Sequence, residues 1–304
     1  MLDHWPAVEF ETGRSRPWLT WSGCAIVVLV AIGIAGTGGD SAVTWWGWQP
    51  AVDLWQGKPW ALVTSALVHL NAVHLAFNLY WLWVLGRAVE SVLGPLRLGA
   101  FIIASALVSS AAQLAVSDET GIGSSGVAYA LFGLAWMLSR YRRDLGIRMP
   151  RQIVQLFAVW LLVGTFGTYL GLVNFGNAAH LAGGLFGICA GLAFTDRWNR
   201  AGVVGLRSLL AWGALIAFVA PWSPAWNEAR ARSAYRRADY AAAIEWLERS
   251  LRRGGDPAWI TQTKAMVHWQ AGAKDEVRAD LDALRKIDPK GAEVFERQIR
   301  GEER

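Results

Sequence analysis

The chain has 304 residues, of which 54% are hydrophobic and only 17% are charged. Soluble domains carry roughly 25% charged residues, so this composition excludes an ordinary soluble domain for most of the chain and favours a membrane protein. The net charge of +5 does not predict nucleic-acid binding, because the basic residues lie in short loops between apolar runs. Cys24 and Cys189 lie inside apolar runs without a Cys-x-x-Cys spacing, so we expect neither a disulfide nor a metal site.

Seven apolar runs approach the length of about 20 residues that a bilayer-crossing helix requires. They are Trp18–Gly36, Ala61–Gly86, Leu98–Val116, Ser124–Ser139, Ile153–Val173, Ala178–Phe194 and Val203–Trp222. No small-residue cleavage site follows the first run, so we expect a retained anchor and not a signal peptide. The fourth run is short and polar at its start, which is tolerated in a membrane only where protein or a wet cavity surrounds that end.

Arginines precede the first run and follow the second, fourth and sixth runs. They are Arg14, Arg16, Arg87, Arg97, Arg140, Arg142, Arg143, Arg148, Arg151, Arg197, Arg200 and Arg207. These loops all lie on one side of the membrane, and positively charged loops are typically cytoplasmic. The loops on the other side carry Asp40, Asp53, Asp118 and Glu119, with Lys58 as their base. We therefore predict a multi-pass protein of a bacterial inner membrane, in contact with lipid, with its N-terminus in the cytoplasm.

The polar tail from Ala229 to Arg304 repeats weakly with a period of 34 residues. The repeated positions are Tyr235, Ala238, Tyr240, Ala243, Leu247 and Ser250, which correspond to Trp269, Gly272, Lys274, Val277, Leu281 and Leu284. The period, and an Asp-Pro pair after each unit, resemble tetratricopeptide repeats. Fewer than three repeats rarely stand alone, so the tail is interpreted either as a module for a protein partner or as a solvated helical appendage.

Four polar residues inside the apolar runs require an explanation, because polar side chains are costly in a membrane. His74 and Asn78 lie in the second run, Ser125 in the fourth and His180 in the sixth. The predicted orientation places all four near the outer face at similar depth.

Stripes of small residues follow Ser125 and His180, and such stripes let membrane helices approach closely. They are Gly126, Ala130 and Gly133 in the fourth run, and Gly183 and Gly187 in the sixth. Packing the two helices along these stripes would bring the Ser125 hydroxyl to the His180 imidazole.

A serine hydroxyl becomes a nucleophile when a neighbouring base takes its proton, and histidine suits that role near neutral pH. Acyl transfer also needs donors for an oxyanion, which His74, Asn78 and the Ser125 backbone N–H could supply. The outer halves of these runs lack Asp and Glu, so the pattern predicts a Ser–His dyad that needs no metal or organic cofactor. A transporter, an aspartyl protease and a His-Glu-x-x-His metalloprotease are disfavoured, because their intramembrane carboxylates or motif are missing.

Three segments together resemble the rhomboid intramembrane serine proteases, over roughly Trp18 to Phe194. Gly123-Ser124-Ser125-Gly126 is similar to the Gly-x-Ser-Gly segment of that family. Ala179–Gly187 is similar to its base-bearing last core helix, and His69–Asn78 to its oxyanion segment.

The resemblance implies that Ser125 is the nucleophile, His180 the base, and His74 and Asn78 the oxyanion donors. It also implies supporting roles for Gly123, Gly126 and Tyr129, with Tyr129 packed against His180, and a structural role for the Glu90 carboxylate. The implied activity is cleavage of peptide bonds in or near transmembrane segments of other proteins, at a site open to the outer side. His69 is interpreted as a structural or interfacial histidine.

The sequence thus predicts an all-α polytopic membrane bundle with a rhomboid-like six-helix core, a seventh span and a helical-repeat tail. Its regions are a cytoplasmic N-terminus at 1–17, the protease core at 18–195, a basic loop and seventh span at 196–222, and the tail at 223–304. The outer loop departs from the family, since Ala61 follows Trp60 where Arg is common and Lys58 replaces an acid. The alternative function is an inactive relative that binds transmembrane segments, which is disfavoured because both Ser125 and His180 are present.

Overall fold

The computed structural model describes residues 8–10, 16–38, 42–172 and 175–302. Four residues used above, Arg14, Asp40, Val173 and Arg304, lie outside the described residues, as does most of the predicted N-terminal region. The described chain divides into two compact units. Unit 1 comprises the residues up to Pro50 and Lys58–Phe218, and unit 2 comprises Ala51–Gly57 and the residues from Val219 onward.

The fold is almost entirely helical. In chain order the helices are α1 (Trp18–Gly36), α2 (Ala51–Leu54), α3 (Ala61–Thr64), α4 (Ala72–Leu93), α5 (Pro95–Ser117), α6 (Ser125–Tyr141), α7 (Arg151–Tyr169), α8 (Asn177–Ala193), α9 (Asn199–Phe218), α10 (Pro224–Arg236), α11 (Tyr240–Arg252), α12 (Pro257–Gln270), α13 (Lys274–Ile287) and α14 (Pro289–Glu302). A short antiparallel pair, β1 (Glu9–Phe10) and β2 (Ile147–Arg148), sets Phe10 opposite Ile147.

Four helices among the described residues are long and apolar enough to cross a membrane: α1, α5, α7 and α9. Counting the bent pair α3–α4 as one further span raises this number to five. Helix α8 is a shorter apolar helix. Only 17% of the apolar stretch is buried in α1, α7 and α9, against 44% in α5. Helices α1, α7 and α9 therefore present most of their apolar surface to lipid. The chain is a polytopic helical membrane bundle.

Helix α6 lies at the centre of unit 1, although it has only 17 residues. Most of its side chains are buried, and Leu131, Leu134 and Leu138 are fully enclosed. Buried residues of α4 and α5, such as Leu85 and Leu98, complete the same core. A helix surrounded by protein does not need the length or apolarity of one that faces lipid, which explains its short, polar start.

The prediction of one continuous span over Ala61–Gly86 is wrong. The chain forms α3 and a 3-10 turn at Ser65–Leu67, bends by 101°, and then forms α4. The bend follows from local polar chemistry, because Asn71 is extended and its side chain caps α4 by accepting hydrogen bonds from the amides of Val73 and His74. We call residues 65–78 the polar break.

Unit 2 consists of helix pairs. The end of α12 lies 34 residues after the end of α10, and the start of α13 lies 34 residues after the start of α11. This is the period that the sequence shows. Equivalent positions Ala243 and Val277 are both buried. Helix α2 and the residues after it pack on α10, where Gln56 Nε2 donates to the Ala229 carbonyl at 2.7 Å and Arg232 lies 3.7 Å from Asp53.

Candidate active site

Helices α6 and α8 pack along glycines that allow their backbones to touch. We call Gly126, Gly133, Gly183 and Gly187 the glycine seam. A Cβ atom on Gly187 would collide with the Ala130 carbonyl oxygen, and one on Gly183 would collide with the Gly126 carbonyl oxygen. Any larger residue at Gly133, Gly183 or Gly187 would press on the backbone of the facing helix, whereas one at Gly126 would first meet the Ser109 side chain of α5.

The glycine seam brings the first turn of α6 to the first turn of α8. There the Ser125 Oγ lies 2.7 Å from the His180 Nε2, which is hydrogen-bond distance. His180 is buried, with 6% of its surface exposed. Within the described part of the chain, no carboxylate is hydrogen-bonded to the His180 ring. The arrangement is a serine–histidine pair with a buried histidine and a half-buried serine.

Tyr129 lies one turn beyond Ser125 and holds the imidazole from one face. Its ring stacks on the His180 ring, with centroids 4.8 Å apart and planes inclined by 16°. Its hydroxyl donates to the Phe157 carbonyl of α7 at 3.0 Å. Stacking on one face and a hydrogen bond at one nitrogen together restrict the rotation of the His180 ring.

The polar break lies against the residues that precede Ser125. The Gly123 amide donates to the Ser65 carbonyl at 3.1 Å, and the Ser124 amide donates to His69 Nε2 at 3.3 Å. Gly123 has a φ of +99°, and a Cβ there would come within 2.5 Å of the His74 ring. Glycine is therefore required both for the backbone conformation and for the close approach of His74.

Asn78 is buried one turn after His74 on α4, with 1% of its surface exposed. Its Nδ2 lies 3.1 Å from His69 Nε2. The structure thus brings the predicted residues His74 and Asn78 to the segment that leads into Ser125.

Glu90, at the far end of α4, accepts three hydrogen bonds from the start of α1. The amides of Leu19 and Thr20 donate at 2.9 and 2.8 Å, and the Thr20 hydroxyl donates at 2.6 Å. No side chain of α1 itself caps this helix start. A carboxylate at a helix N-terminus satisfies its free amides and the helix dipole, so Glu90 ties α4 to α1.

In the loop before α3, Lys58 occupies the place of the family's acid and is hydrogen-bonded to an amide side chain. Lys58 Nζ donates to Gln49 Oε1 at 2.8 Å, and Gln49 Nε2 donates to the Thr44 carbonyl. This polar link joins the two halves of the loop.

Two polar residues near the site, His69 and Gln113, were not predicted as site residues from the sequence. His69 contacts both Asn78 and Ser124, although it was given no role in the site. Gln113 of α5 accepts a hydrogen bond from the Ala179 amide, next to His180. A polar residue in an apolar run is the signal that could have identified Gln113.

The described residues contain no group of three or more His, Cys, Asp or Glu side chains that could hold a metal ion.

The sequence matches known proteins over this same region. A family model described as Rhomboid domain matches residues 56–197. The chain is 37% identical over 182 residues to the rhomboid protease GlpG of Pectobacterium atrosepticum, covering 60% of this chain and 64% of that protein. It is 36% identical to the GlpG of an Enterobacter species, covering 62% and 67%, and 34% identical to that of Yersinia pestis, covering 64% and 68%.

The matched segments span about two thirds of the length of these curated relatives. On this similarity, the chain belongs to the rhomboid family of intramembrane serine proteases.

Proposed function

We propose that this chain hydrolyses peptide bonds in or near transmembrane segments of other membrane proteins with Ser125 and His180 as a catalytic dyad. The observation that carries the proposal is the 2.7 Å separation of Ser125 Oγ and His180 Nε2 in a partly buried site. Membership of the rhomboid family supports the reaction class.

The dyad accounts for both halves of the reaction. His180 Nε2 takes the proton of the Ser125 hydroxyl as Oγ attacks the peptide carbonyl carbon, and an oxyanion forms. Collapse of this intermediate breaks the C–N bond, and the proton passes from His180 to the leaving amine. A water molecule then attacks the acyl-enzyme while His180 takes its proton. The acid product leaves, and the Ser125 hydroxyl is restored.

The oxyanion requires donors that are already in place. The Ser125 amide lies in the first turn of α6, where backbone N–H groups have no partner within the helix and the helix dipole favours negative charge. Asn78 has a second amide hydrogen besides the one directed at His69, and His74 lies beside Gly123. Removing one such donor costs about 3–4 kcal/mol of transition-state stabilisation in enzymes of known mechanism.

The substrate is a transmembrane segment that reaches the site from the lipid and unwinds locally, because a helical peptide bond is shielded from attack. Residues with small side chains at the cut and helix-destabilising residues beyond it would suit this requirement. Water reaches Ser125 through the end of the bundle where α4, α6 and α8 all begin.

The experiment that tests the proposal is cleavage of a model transmembrane substrate in liposomes. Ser125→Ala and His180→Ala are each expected to lower the rate by at least about a thousandfold without loss of folding. Ser91→Ala is the control, since Ser91 donates to the Ala88 carbonyl near the far end of α4, away from Ser125. Cleavage that survives in Ser125→Ala, or no cleavage by the wild-type chain, would favour the inactive, segment-binding alternative.

The membrane orientation is part of the proposal, with the N-terminus cytoplasmic and the site open to the outer side of a bacterial inner membrane. Unit 2 contains both the loop segment Ala51–Gly57 and the tail, which supports assigning these two parts to the same side of the membrane. The positive-inside pattern makes that side the outer one. A reporter fused after Arg304 should therefore be accessible from outside, and a cytoplasmic signal would overturn this orientation.

The helix pairs of the tail support a role in binding a protein partner. Asp275 and Arg278 are highly exposed on α13. Exchanging their charges should alter cleavage of a natural substrate in cells while leaving cleavage of a model transmembrane segment in liposomes unchanged. No change in either assay would favour a solvated appendage.

A further inference from the structure

His69 lies in the polar break, between the 3-10 turn at Ser65–Leu67 and α4, and only 3% of its surface is exposed. The dyad mechanism makes no use of it. A buried imidazole has two nitrogens that require partners, so its hydrogen bonds reveal what it does.

The hydrogen bonds of His69 define one tautomer of the ring. Nδ1 lies 3.2 Å from the Leu67 carbonyl oxygen, which can only accept, so Nδ1 carries the hydrogen. In the neutral ring Nε2 is then an acceptor. It meets two donors, the Asn78 side-chain amide at 3.1 Å and the Ser124 backbone amide at 3.3 Å.

These two donors belong to the two helices that flank the site. Asn78 is on α4 and is a proposed oxyanion donor, whereas Ser124 immediately precedes the nucleophile and is the N-cap residue of α6. The contact with Nε2 also selects the orientation of the Asn78 side chain, because its Oδ1 in that place would face a lone pair. One amide hydrogen of Asn78 is used, and the other remains for a substrate.

We propose that His69 is a positioning residue whose neutral imidazole aligns the Asn78 amide and the Ser124–Ser125 backbone as a single oxyanion site. This inference rests on the proposed dyad function. His69 touches neither the substrate nor the reacting atoms. It acts through the two amides from which it accepts hydrogen bonds. Its contribution therefore falls on transition-state stabilisation and not on substrate binding.

The experiment compares two replacements of similar size in the full chain. His69→Phe fills the space but has no acceptor, whereas the Oε1 of His69→Gln can occupy the place of Nε2 and accept both hydrogen bonds. His69→Phe should lower kcat on a model transmembrane substrate about ten- to a hundredfold with KM nearly unchanged, as displacing a catalytic donor does. His69→Gln should recover at least half of that loss on a logarithmic scale.

A purely structural role would lower the melting temperature of both variants in parallel and would not separate them in kcat. Equal kcat values for the two folded variants, or a His69→Phe variant with wild-type kcat, would overturn the positioning role and leave the dyad intact. Failure of the wild-type chain to cleave, or cleavage by Ser125→Ala, would instead overturn the proposed function.

A measurement on the wild-type chain keeps the inference testable if His69→Phe does not fold. ¹⁵N NMR of the five histidines reports which ring nitrogen carries the hydrogen, and His69→Gln identifies the His69 signal by its absence. A neutral ring protonated at Nδ1 is the expected result. A ring protonated at Nε2 could not accept from Asn78 and Ser124, and would overturn the inference.

Discussion

In the glycine seam, α6 and α8 approach closely because side chains are missing, and backbone carbonyls lie where the Cβ atoms of residues 133, 183 and 187 would otherwise be. In the polar break, α3 and α4 are separated by a bend. There Asn71 accepts a hydrogen bond from the Val73 amide, and His69 accepts hydrogen bonds from Asn78 and the Ser124 amide. The first region places the nucleophile and base, whereas the second lies beside the proposed oxyanion donors.

The two regions resist change in different ways. Steric contact in the glycine seam is intolerant of any added atom, because neither backbone can move without the other. The polar break should tolerate side-chain replacements that keep a hydrogen-bond acceptor, because any group that accepts from the same amides can restore the hydrogen bonds. Substitutions that add atoms should therefore damage the first region, and substitutions that remove acceptors should damage the second.

Of the substitutions that compare these two regions, Gly187→Ala in the glycine seam should have the largest effect on stability. Its Cβ would collide with the Ala130 carbonyl, so the free energy of unfolding should fall by about 1–3 kcal/mol and cleavage should drop with it. Unfolding in detergent micelles and cleavage in liposomes measure the two effects.

Gly184→Ala is the matched control on the same helix. The nearest atom to its Cβ would be Tyr129 Cδ1 at 3.9 Å, an ordinary contact, and alanine favours the helix over glycine by about 1 kcal/mol. Gly184→Ala should be as stable as the wild-type chain or slightly more stable. Equal losses in the two variants would show that close approach does not hold α6 to α8.

A smaller effect is expected for Asn71→Ala in the polar break. Loss of the cap on the Val73 and His74 amides should lower the free energy of unfolding by about 0.5–2 kcal/mol and loosen the turn that carries His74. Cleavage should fall several-fold. Asn71→Ser keeps an acceptor at the cap and should retain both properties. If the serine and alanine variants behave alike, the side-chain cap does not define the bend.

The smallest effect is expected for Tyr129→Phe, which keeps the ring on His180 and removes the hydroxyl bonded to the Phe157 carbonyl. The free energy of unfolding should fall by about 0.5–1 kcal/mol, with cleavage close to that of the wild type. Tyr129→Leu removes the stacked ring and should lower kcat more than Tyr129→Phe does. The reverse order would assign the role of Tyr129 to its hydroxyl.

The sequence predicted the close packing at the glycine seam but not the bend at the polar break. Small residues at helical spacing on two runs predicted that the fourth and sixth helices would pack closely, and Gly187 lies against Ala130 in the structure. The roles of Ser125, His180, His74 and Asn78 remain predictions until activity is measured. The bend was missed because apolar residues continue through Ala61–Gly86, so hydropathy could not reveal that Asn71 caps a new helix.

The proposed positioning role of His69 could not be predicted from the sequence either. Two amides from different helices meet at its Nε2, and contacts between residues 55 positions apart follow from the fold and not from local pattern. The family resemblance identified Glu90 as a structural carboxylate, but only the structure shows that it caps α1.

Covalent labelling of the nucleophile is the most direct test of the Ser125–His180 dyad. An alkyl fluorophosphonate, which reacts with activated serine hydroxyls and releases fluoride, should label the wild-type chain in liposomes at Ser125, as located by peptide mass spectrometry. Folded His180→Ala should label at least about a hundredfold more slowly, because the hydroxyl has lost its base. Labelling of Ser125 at the wild-type rate in His180→Ala, or cleavage by a chain whose Ser125 does not react, would contradict the dyad.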